Sequence, residues 1–485
     1  MAFQSPYDLY ELVVGLEVHV QLNTQSKLFS RESTAFGNNP NTQVSAITLG
    51  LPGALPFMNK EVLKKATLMG LALNCQIEPH NFFERKNYFY GDLPKGYQTT
   101  QDQLPIAKNG YLEVRFNQSK VEAIRINRIH MEEDAGKSIH DLSAYNTAID
   151  LNRAGVPLIE IVTEPDINQA ETAAAFINEI RQIVRALGIS DGNMEEGSLR
   201  CDANISVMKK GATTYGTRCE VKNINSMRNL KRAIAHEFKR QVEVLEAGGS
   251  ILQSTLNFDA ETGETSVMRS KENAPDYRYF PCPDLPPLEL TASFINELKE
   301  NMPKLPAQIA MEIVEEAELT YAEALIIALD EAGYDFYLKA KTQVKQIKAL
   351  VNWLIGPLRN YIQENNLRYE SAPFTPTQIA EIINLVEARE ISMQVVMNDL
   401  LPKIYPEAKV SSLIDDLNLR ISDNETDLMN YISEVLSQYK TQVEAFKKGK
   451  KGVLGLFVGE VMKKAKGKAD PQKVNSLILE KLNEI

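Results

Sequence analysis

The chemistry in this sequence begins at "GLEVHVQL", residues 15–22, where an acid and an imidazole stand two residues apart. Apolar and polar positions alternate there, which predicts a strand with Leu16, Val18, Val20 and Leu22 on one face and Glu17, His19 and Gln21 on the other. Residues two apart on a strand point the same way at a spacing of about 6.5 Å. Glu17 and His19 can therefore converge on one cation, although a solvated sheet face carries such pairs too. Three further stretches supply company. "HMEEDAGKS" sets Glu132, Glu133 and Asp134 in a row before a glycine. "LRCDANISV" turns Leu199, Cys201, Ala203, Ile205 and Val207 inward and leaves Arg200, Asp202, Asn204 and Ser206 on the other face. "GTRCEVKNIN" does the same, with Arg218, Glu220 and Lys222 pointing outward together.

Paired as a hairpin through "MKKGATTY", the last two strands bring Asp202 and Glu220 to one polar face. Adding Glu17, His19 and Glu133 makes a carboxylate-rich set with one imidazole, which suits magnesium or manganese better than zinc. The interleaved Arg200, Arg218 and Lys222 turn a metal site into a place for a metal-bound nucleotide, because cations neutralise phosphoryl charge. A salt-bridged, solvated sheet is the plainer alternative, since strand register is not visible in a sequence. Other chemistries drop out. "DAGKS" has Met131 where a phosphate-binding loop needs its first glycine, and no GxSxG, HExxH or dinucleotide-binding glycine pattern occurs. Nor is there a Cys-His or Ser-Lys arrangement of the kind that hydrolyses an amide.

The elements that must position these residues are spread over 485 residues, too many for one core, so two to four domains are expected. No apolar run approaches the ~20 residues of a membrane span, and "MAFQSPYDLYELVV" lacks the features of a signal peptide. A cytoplasmic protein is expected. A net charge of −11 argues against indiscriminate coating of nucleic acid. The four cysteines form no CxxC pair, and Cys201 and Cys219 fall on apolar strand phases, as buried reduced thiols do.

From residue 11 to about 290, short alternating strands, turn-rich loops and few helices predict an α+β domain dominated by an antiparallel sheet. One helix follows "TEPDINQAETAAAFINEIRQIVRALGIS", with an acidic start and Gly188 as its stop. Prolines 281, 283, 286 and 287 predict a rigid, extended exit from this domain. Helix signals then dominate. Thr375 and Gln378 form a capping-box pattern around Pro376, ahead of the stripe Ile379, Ile382, Ile383 and Val386, and Thr320 with Glu323 repeats the pattern. The expected division is a sheet domain over 1–294 and two all-helical domains over 295–407 and 408–485. The last contains "FKKGKKGVLGLFVGEVMKKAKGKADPQKV", with eight lysines against one glutamate before Asp470, a composition that suits phosphate contact as well as a solvated helix end.

Read in order, "VGLEVHVQL", "RKNYFYGDLPKGYQTTQ", "HMEEDAGKS", "DLNRAGVPLIEIVTEPD", "MEEGSLRCDANIS", "EVKNINS" and "DYRYFPCPDLPPL" closely resemble the B subunit of the aspartyl/glutamyl-tRNA amidotransferase family, and the likeness runs to the C-terminus. The resemblance implies a cradle domain followed by a helical domain and a tail domain that meets the tRNA elbow. It implies a heterotrimer with an amidase (the A subunit) and a small partner (the C subunit), acting on Glu-tRNA(Gln), Asp-tRNA(Asn) or both. It implies that ATP and Mg2+ are used to phosphorylate the side-chain carboxylate, and that ammonia from the amidase then displaces the phosphate. Amidase residues are missing here because ammonia comes from elsewhere.

Carried onto this chain, the resemblance makes Glu17, His19, Glu133, Asp202 and Glu220 the expected metal ligands or their close neighbours. Lys222, Arg200 and Lys86 are expected to meet phosphate, Arg153 and Arg278 to orient substrate, and Glu132 and Glu196 to support the ligands from behind. Lys447, Lys448, Lys450, Lys451, Lys463 and Lys464 are expected to hold the tRNA backbone. The chain also departs from the family's pattern. Ser30, Glu32, Ser45 and Thr48 stand where many members carry four zinc-binding cysteines, so no zinc is expected, and Gly91 replaces a common proline. Two other readings compete: a non-catalytic tRNA-binding scaffold, and the related archaeal protein, whose inserted domain this chain has no room for.

Overall fold

The long strands of the first 306 residues form where apolar positions recur every second residue, as in Tyr10–Gln21 and Leu199–Lys209. In the computed structural model, which describes residues 5–117, 119–140, 142, 145–270, 276–421, 425–465 and 467–484, the strands are as follows in chain order. They run β1 (Tyr10–Gln21), β2 (Gln76–Ile77), β3 (His80–Asn81), β4 (Glu84–Asn87), β5 (Tyr97–Thr100), β6 (Ala107–Arg115), β7 (Val121–Glu133) and β8 (Lys137–Ile139). Then come β9 (Ala148–Asp150), β10 (Pro157–Thr163), β11 (Leu199–Lys209), β12 (Cys219–Ile224), β13 (Ser254–Phe258), β14 (Thr265–Ser270), β15 (Phe280–Pro281) and β16 (Leu288–Glu289). Nine of them make one sheet in the order β14-β13-β12-β11-β1-β10-β7-β6-β2. The expected hairpin of β11 and β12 is present, with Asn204 opposite Glu220.

The sheet is antiparallel except at one pair: β12 runs parallel to β13, with Glu220 opposite Thr255. A parallel pair needs a crossover, and the helix Met227–Glu246 between the two strands supplies it. Three helices cover the sheet's apolar side: α1 (Lys60–Ala72), α2 (Ala170–Ala186) and α3 (Met227–Glu246). Val14, Leu16, Val18 and Val20 of β1 share a core with Phe176, Ile177 and Ile180 of α2 and Leu230 and Ile234 of α3. Truncating a buried aromatic such as Phe176 to alanine costs about 3–5 kcal/mol. With one face buried, the opposite face of β1 is left for polar side chains. α2 ends as expected, Gly188 adopting φ +62° just past its last turn.

The proline-rich stretch is more than an extended exit. β15 pairs with β4, and β4 with β5; β16 pairs with β3, while Cys282, Leu285 and Leu290 enter the core. All four cysteines are buried and free. The chain divides into two compact units, Met1–Pro306 and Ala307–Ile485. The first extends past residue 294 because the helix α4 (Ala292–Glu300) packs Phe294 and Ile295 against its core.

The second unit is helical and has two apolar cores, one from Ile309 to Leu419 and one from Leu428 to Leu482. The first of these runs past 407 because Val410, Ile414 and Leu419 pack into it. Both expected capping boxes form: Thr320 with Glu323 and Thr375 with Gln378, each side chain accepting from the other residue's backbone N–H. Among the described residues no helix is long and apolar enough to cross a membrane.

Candidate active site

β1 lies in the middle of the large sheet, between β10 and β11, and its polar face carries the site. His19 stands opposite Glu160 of β10 on one side and Arg200 of β11 on the other, while Glu160 in turn stands opposite His130 of β7. Directly opposed residues share a face. One row across four strands is therefore His130, Glu160, His19 and Arg200. One step along β1, Glu17 stands opposite Asp202.

Among the described residues, two groups of acids and histidines bring three donor atoms within 4.8 Å of one another: Glu17, Asp202 and Glu220, and His19, Glu132 and Glu160. In the first, Lys222 Nζ lies 2.7 Å from Asp202 Oδ2 and 2.8 Å from Glu220 Oε1. Asn204 Nδ2 donates to Glu17 Oε1 at 2.8 Å, and Thr255 Oγ1 to Glu220 Oε2 at 3.0 Å. Burial, then the charge of Glu160, pushes the Glu17 carboxyl up, against the pull of Asn204 and Lys222. Burial draws Lys222 down, but Asp202 and Glu220 outweigh it and hold the ammonium above its ordinary range.

In the second group, His19 Nε2 lies 3.4 Å from Glu160 Oε2 and 3.6 Å from Glu132 Oε1. His130 Nε2 reaches the same two carboxylates at 3.1 and 3.7 Å. Burial alone would lower both imidazoles; the two glutamates raise them instead, His130 to about 9. Glu160, pulled by both imidazoles against its own burial, is held well below the usual carboxylate range.

The structure thus brings Glu17, His19, Asp202 and Glu220 together as the spacing predicts, but as two neighbouring triads and without Glu133. Adjacent strand residues face opposite ways, so only one of Glu132 and Glu133 can join His19, and it is Glu132. Glu133 pairs with Lys95 and accepts from Thr99 N–H at 2.8 Å. Glu132 therefore belongs to a triad and does not stand behind one. Glu160 and His130 escape the sequence reading. Their signals are a single acid inside the apolar run "PLIEIVT" and a histidine two residues before Glu132.

The cationic candidates divide. Lys222 sits in the first triad. Arg200 donates to Asp134 Oδ2 at 3.1 Å, and its buried Nε has no partner. Arg153 spends its guanidinium on the carbonyls of Ala135 and Gly136, at 3.0 and 2.8 Å, which fixes the turn after β7. Lys86 lies 4.9 Å over the Tyr277 ring, and Arg278 is exposed nearby with φ 47°. Glu196 is exposed in the turn before β11 and is a member of neither triad. In the second unit, Lys447, Lys448, Lys450, Lys451, Lys463 and Lys464 are all exposed, and Lys464 pairs with Glu434 at 2.7 Å.

An all-oxygen triad beside one with a single imidazole, flanked by the half-buried Lys222 and Arg200 on one sheet face, is a donor set that suits a hard cation next to fixed positive charge. Residues 12–296 match the model of the GatB/GatE catalytic domain and residues 335–482 that of the GatB domain, and the chain belongs to this family. It is 45% identical over 98% of both chains to the aspartyl/glutamyl-tRNA(Asn/Gln) amidotransferase B subunit of Rickettsia rickettsii (strain Sheila Smith). The B subunit of Thermosynechococcus vestitus is 45% identical over 98% of this chain and 97% of its own, and that of Persephonella marina 42% identical over 98% and 99%.

Proposed function

We propose that this protein is the tRNA-binding, carboxylate-activating member of a tRNA-dependent amidotransferase, converting Glu-tRNA(Gln), Asp-tRNA(Asn) or both to the amidated forms. The observation that carries the reading is the pair of triads, with Lys222 and Arg200 beside them, in a chain similar along 98% of its length to amidotransferase B subunits. A carboxylate is inert to ammonia because it has no leaving group; an acyl phosphate has one. Making it from ATP is chiefly a matter of positioning and charge neutralisation.

The triads' oxygen-rich donors fit Mg2+, which when bound neutralises charge on a transferring phosphoryl group. Lys222 and Arg200 supply fixed positive charge to the same face, and Asn204 and Thr255 orient Glu17 and Glu220. Ser30, Glu32, Ser45 and Thr48 offer no thiolate, so zinc has no part in this reading. Ammonia comes from the amidase of the heterotrimer, its small third member stabilises the assembly, and the exposed tail lysines grip the tRNA backbone. The complex works in the cytoplasm.

The test is γ-phosphate transfer and amidation by the reconstituted complex on Glu-tRNA(Gln), with ammonium supplied to bypass the amidase. His19→Ala, Glu132→Gln and Asp202→Asn are expected to bind tRNA normally and to lose ATP cleavage and product alike. Turnover at the wild-type rate would leave the scaffold reading instead.

A further inference from the structure

Close to the second triad, the first unit carries an aromatic surface that the chemistry above does not use. Four tyrosines form a ladder of edge-to-face contacts. Tyr90 meets Tyr88 at 6.1 Å between ring centroids, Tyr88 meets Tyr277 at 6.1 Å, and Tyr277 meets Tyr279 at 6.2 Å, with interplanar angles of 70–76°. In each edge-to-face contact one ring's edge meets the other's face, so the open ring surface lies at the two ends of the ladder, Tyr90 and Tyr279, both exposed. Phe89 is 80% exposed, Tyr90 67% and Phe280 42%. Single exposed apolar residues are ordinary, but a cluster marks an interaction site.

Cations run through the same surface. Lys86 Nζ lies 4.9 Å over Tyr277, Arg85 lies 5.8 Å from the Phe280 ring, and Arg278 is exposed between Tyr277 and Tyr279. Aromatic faces interleaved with cations are how proteins hold single-stranded nucleic acid: bases stack and phosphates are neutralised. The ladder is anchored by the backbone, Asn87 N–H donating to Tyr277 O at 2.9 Å and Asn87 Nδ2 to Arg278 O at 2.7 Å.

We propose that the Tyr90–Tyr88–Tyr277–Tyr279 ladder, with Lys86 and Arg278, is the stacking platform for the single-stranded 3′ end of the aminoacyl-tRNA. The proposal rests on the reading that an aminoacyl-tRNA is the substrate. It also gives Lys86 and Arg278, which the triads do not gather in, a shared task. Strand β5 lies between the ladder and the triad, its Gln98 meeting the one and its Thr100 the other. Tyr88 Oη donates to Gln98 Oε1 at 3.4 Å, Gln98 Nε2 to the Glu133 carbonyl at 2.8 Å, and Thr100 Oγ1 to Glu132 Oε2 at 3.3 Å. Burial, then the charge of Glu132, raises the Tyr88 phenol, and Glu132 also acts on Tyr279 after burial and Asp102. The esterified amino acid hangs from the terminal ribose, so the stacked last base decides where the reacting carboxylate lies.

The experiment uses the assembled heterotrimer and tRNA(Gln) carrying 2-aminopurine in place of its terminal adenosine. Stacking is expected to quench the fluorophore on binding to wild type. Tyr90→Ala and Tyr279→Ala are expected to lose the quench and to bind about 5- to 150-fold more weakly per stacked base. Tyr90→Phe keeps both. Removing the last three nucleotides of the tRNA weakens wild-type binding and leaves the alanine variants unchanged. An undiminished quench in both alanine variants, or loss of heterotrimer assembly with tRNA affinity intact, overturns the proposal; the second outcome would make the patch a protein interface. The readout needs neither metal nor ATP, so it stands or falls apart from the triads.

Discussion

Glu17 and Asp202 stand directly opposite each other across the β1–β11 ladder. Like charges in that position repel, and burial together with Glu160 already pushes the Glu17 carboxyl up. A carboxylate whose pKa is raised by folding costs stability as pH rises through that value, so the ionised form of Glu17 is held against the interest of the fold. Glu17→Gln keeps an acceptor for Asn204 and removes the repulsion. The metal-free variant is expected to gain about 0.5–2 kcal/mol, or a few degrees in Tm, while amidation falls at least about 100-fold. Calorimetry and turnover on one preparation check both, and a variant that is less stable yet active refutes the assignment.

Faces were legible in the sequence and registers were not. A period of two fixes that Glu17, His19, Asp202, Glu220 and Lys222 point one way along their own strands. Nothing local says that "PLIEIVT" enters between β1 and β7, which is what brings Glu160 opposite both His19 and His130. Nor does "MEED" say which of two adjacent glutamates faces the site, because the phase of β7 is set by Ile129 and Met131 in the core. The parallel β12–β13 pair was hidden for a related reason: a helix between two strands reads as a domain element until its packing makes it a crossover.

Glu160 tests the two-triad arrangement most directly. Glu160→Gln removes a carboxylate shared by two imidazoles, and its amidation is expected to fall as far as that of Glu132→Gln, by about 100-fold or more. Glu196→Gln, in an exposed turn, is expected to stay within about twofold of wild type. Equal losses at 160 and 196 would show that the triads do not mark the reacting centre.

The tail lysines are expected to contribute affinity without chemistry. Neutralising Lys447, Lys448, Lys450 and Lys451 together should weaken tRNA binding and flatten its dependence on salt by about 0.7–0.9 per lysine on a log–log plot, where each contact releases a counterion. Turnover at saturating tRNA should be unchanged. An unaltered salt slope would mean that these exposed lysines face only solvent.

Lys27 offers a pH signature away from the triads. Its side chain is fully buried, and its ammonium donates to the carbonyls of Gln43 at 2.6 Å and Leu151 at 3.3 Å. Burial draws its pKa down to about 8, against the upward pull of Glu32, Glu133 and Asp150. An unfolded lysine titrates near 10.4. Below about pH 8 both states carry the proton and the folded state bears the desolvation cost. As pH rises from there to about 10.4, the folded state releases the proton first and the cost falls away. Lys27→Met lacks the group, though it also leaves two carbonyls without their donor, so the informative quantity is the difference between wild type and variant across pH. That difference should shift in favour of wild type by on the order of 3 kcal/mol between pH 7.5 and 10.5, read from urea unfolding of the two proteins side by side. Parallel curves would mean that Lys27 keeps its proton in the fold throughout, with water reaching an ammonium that the packing of this loop encloses.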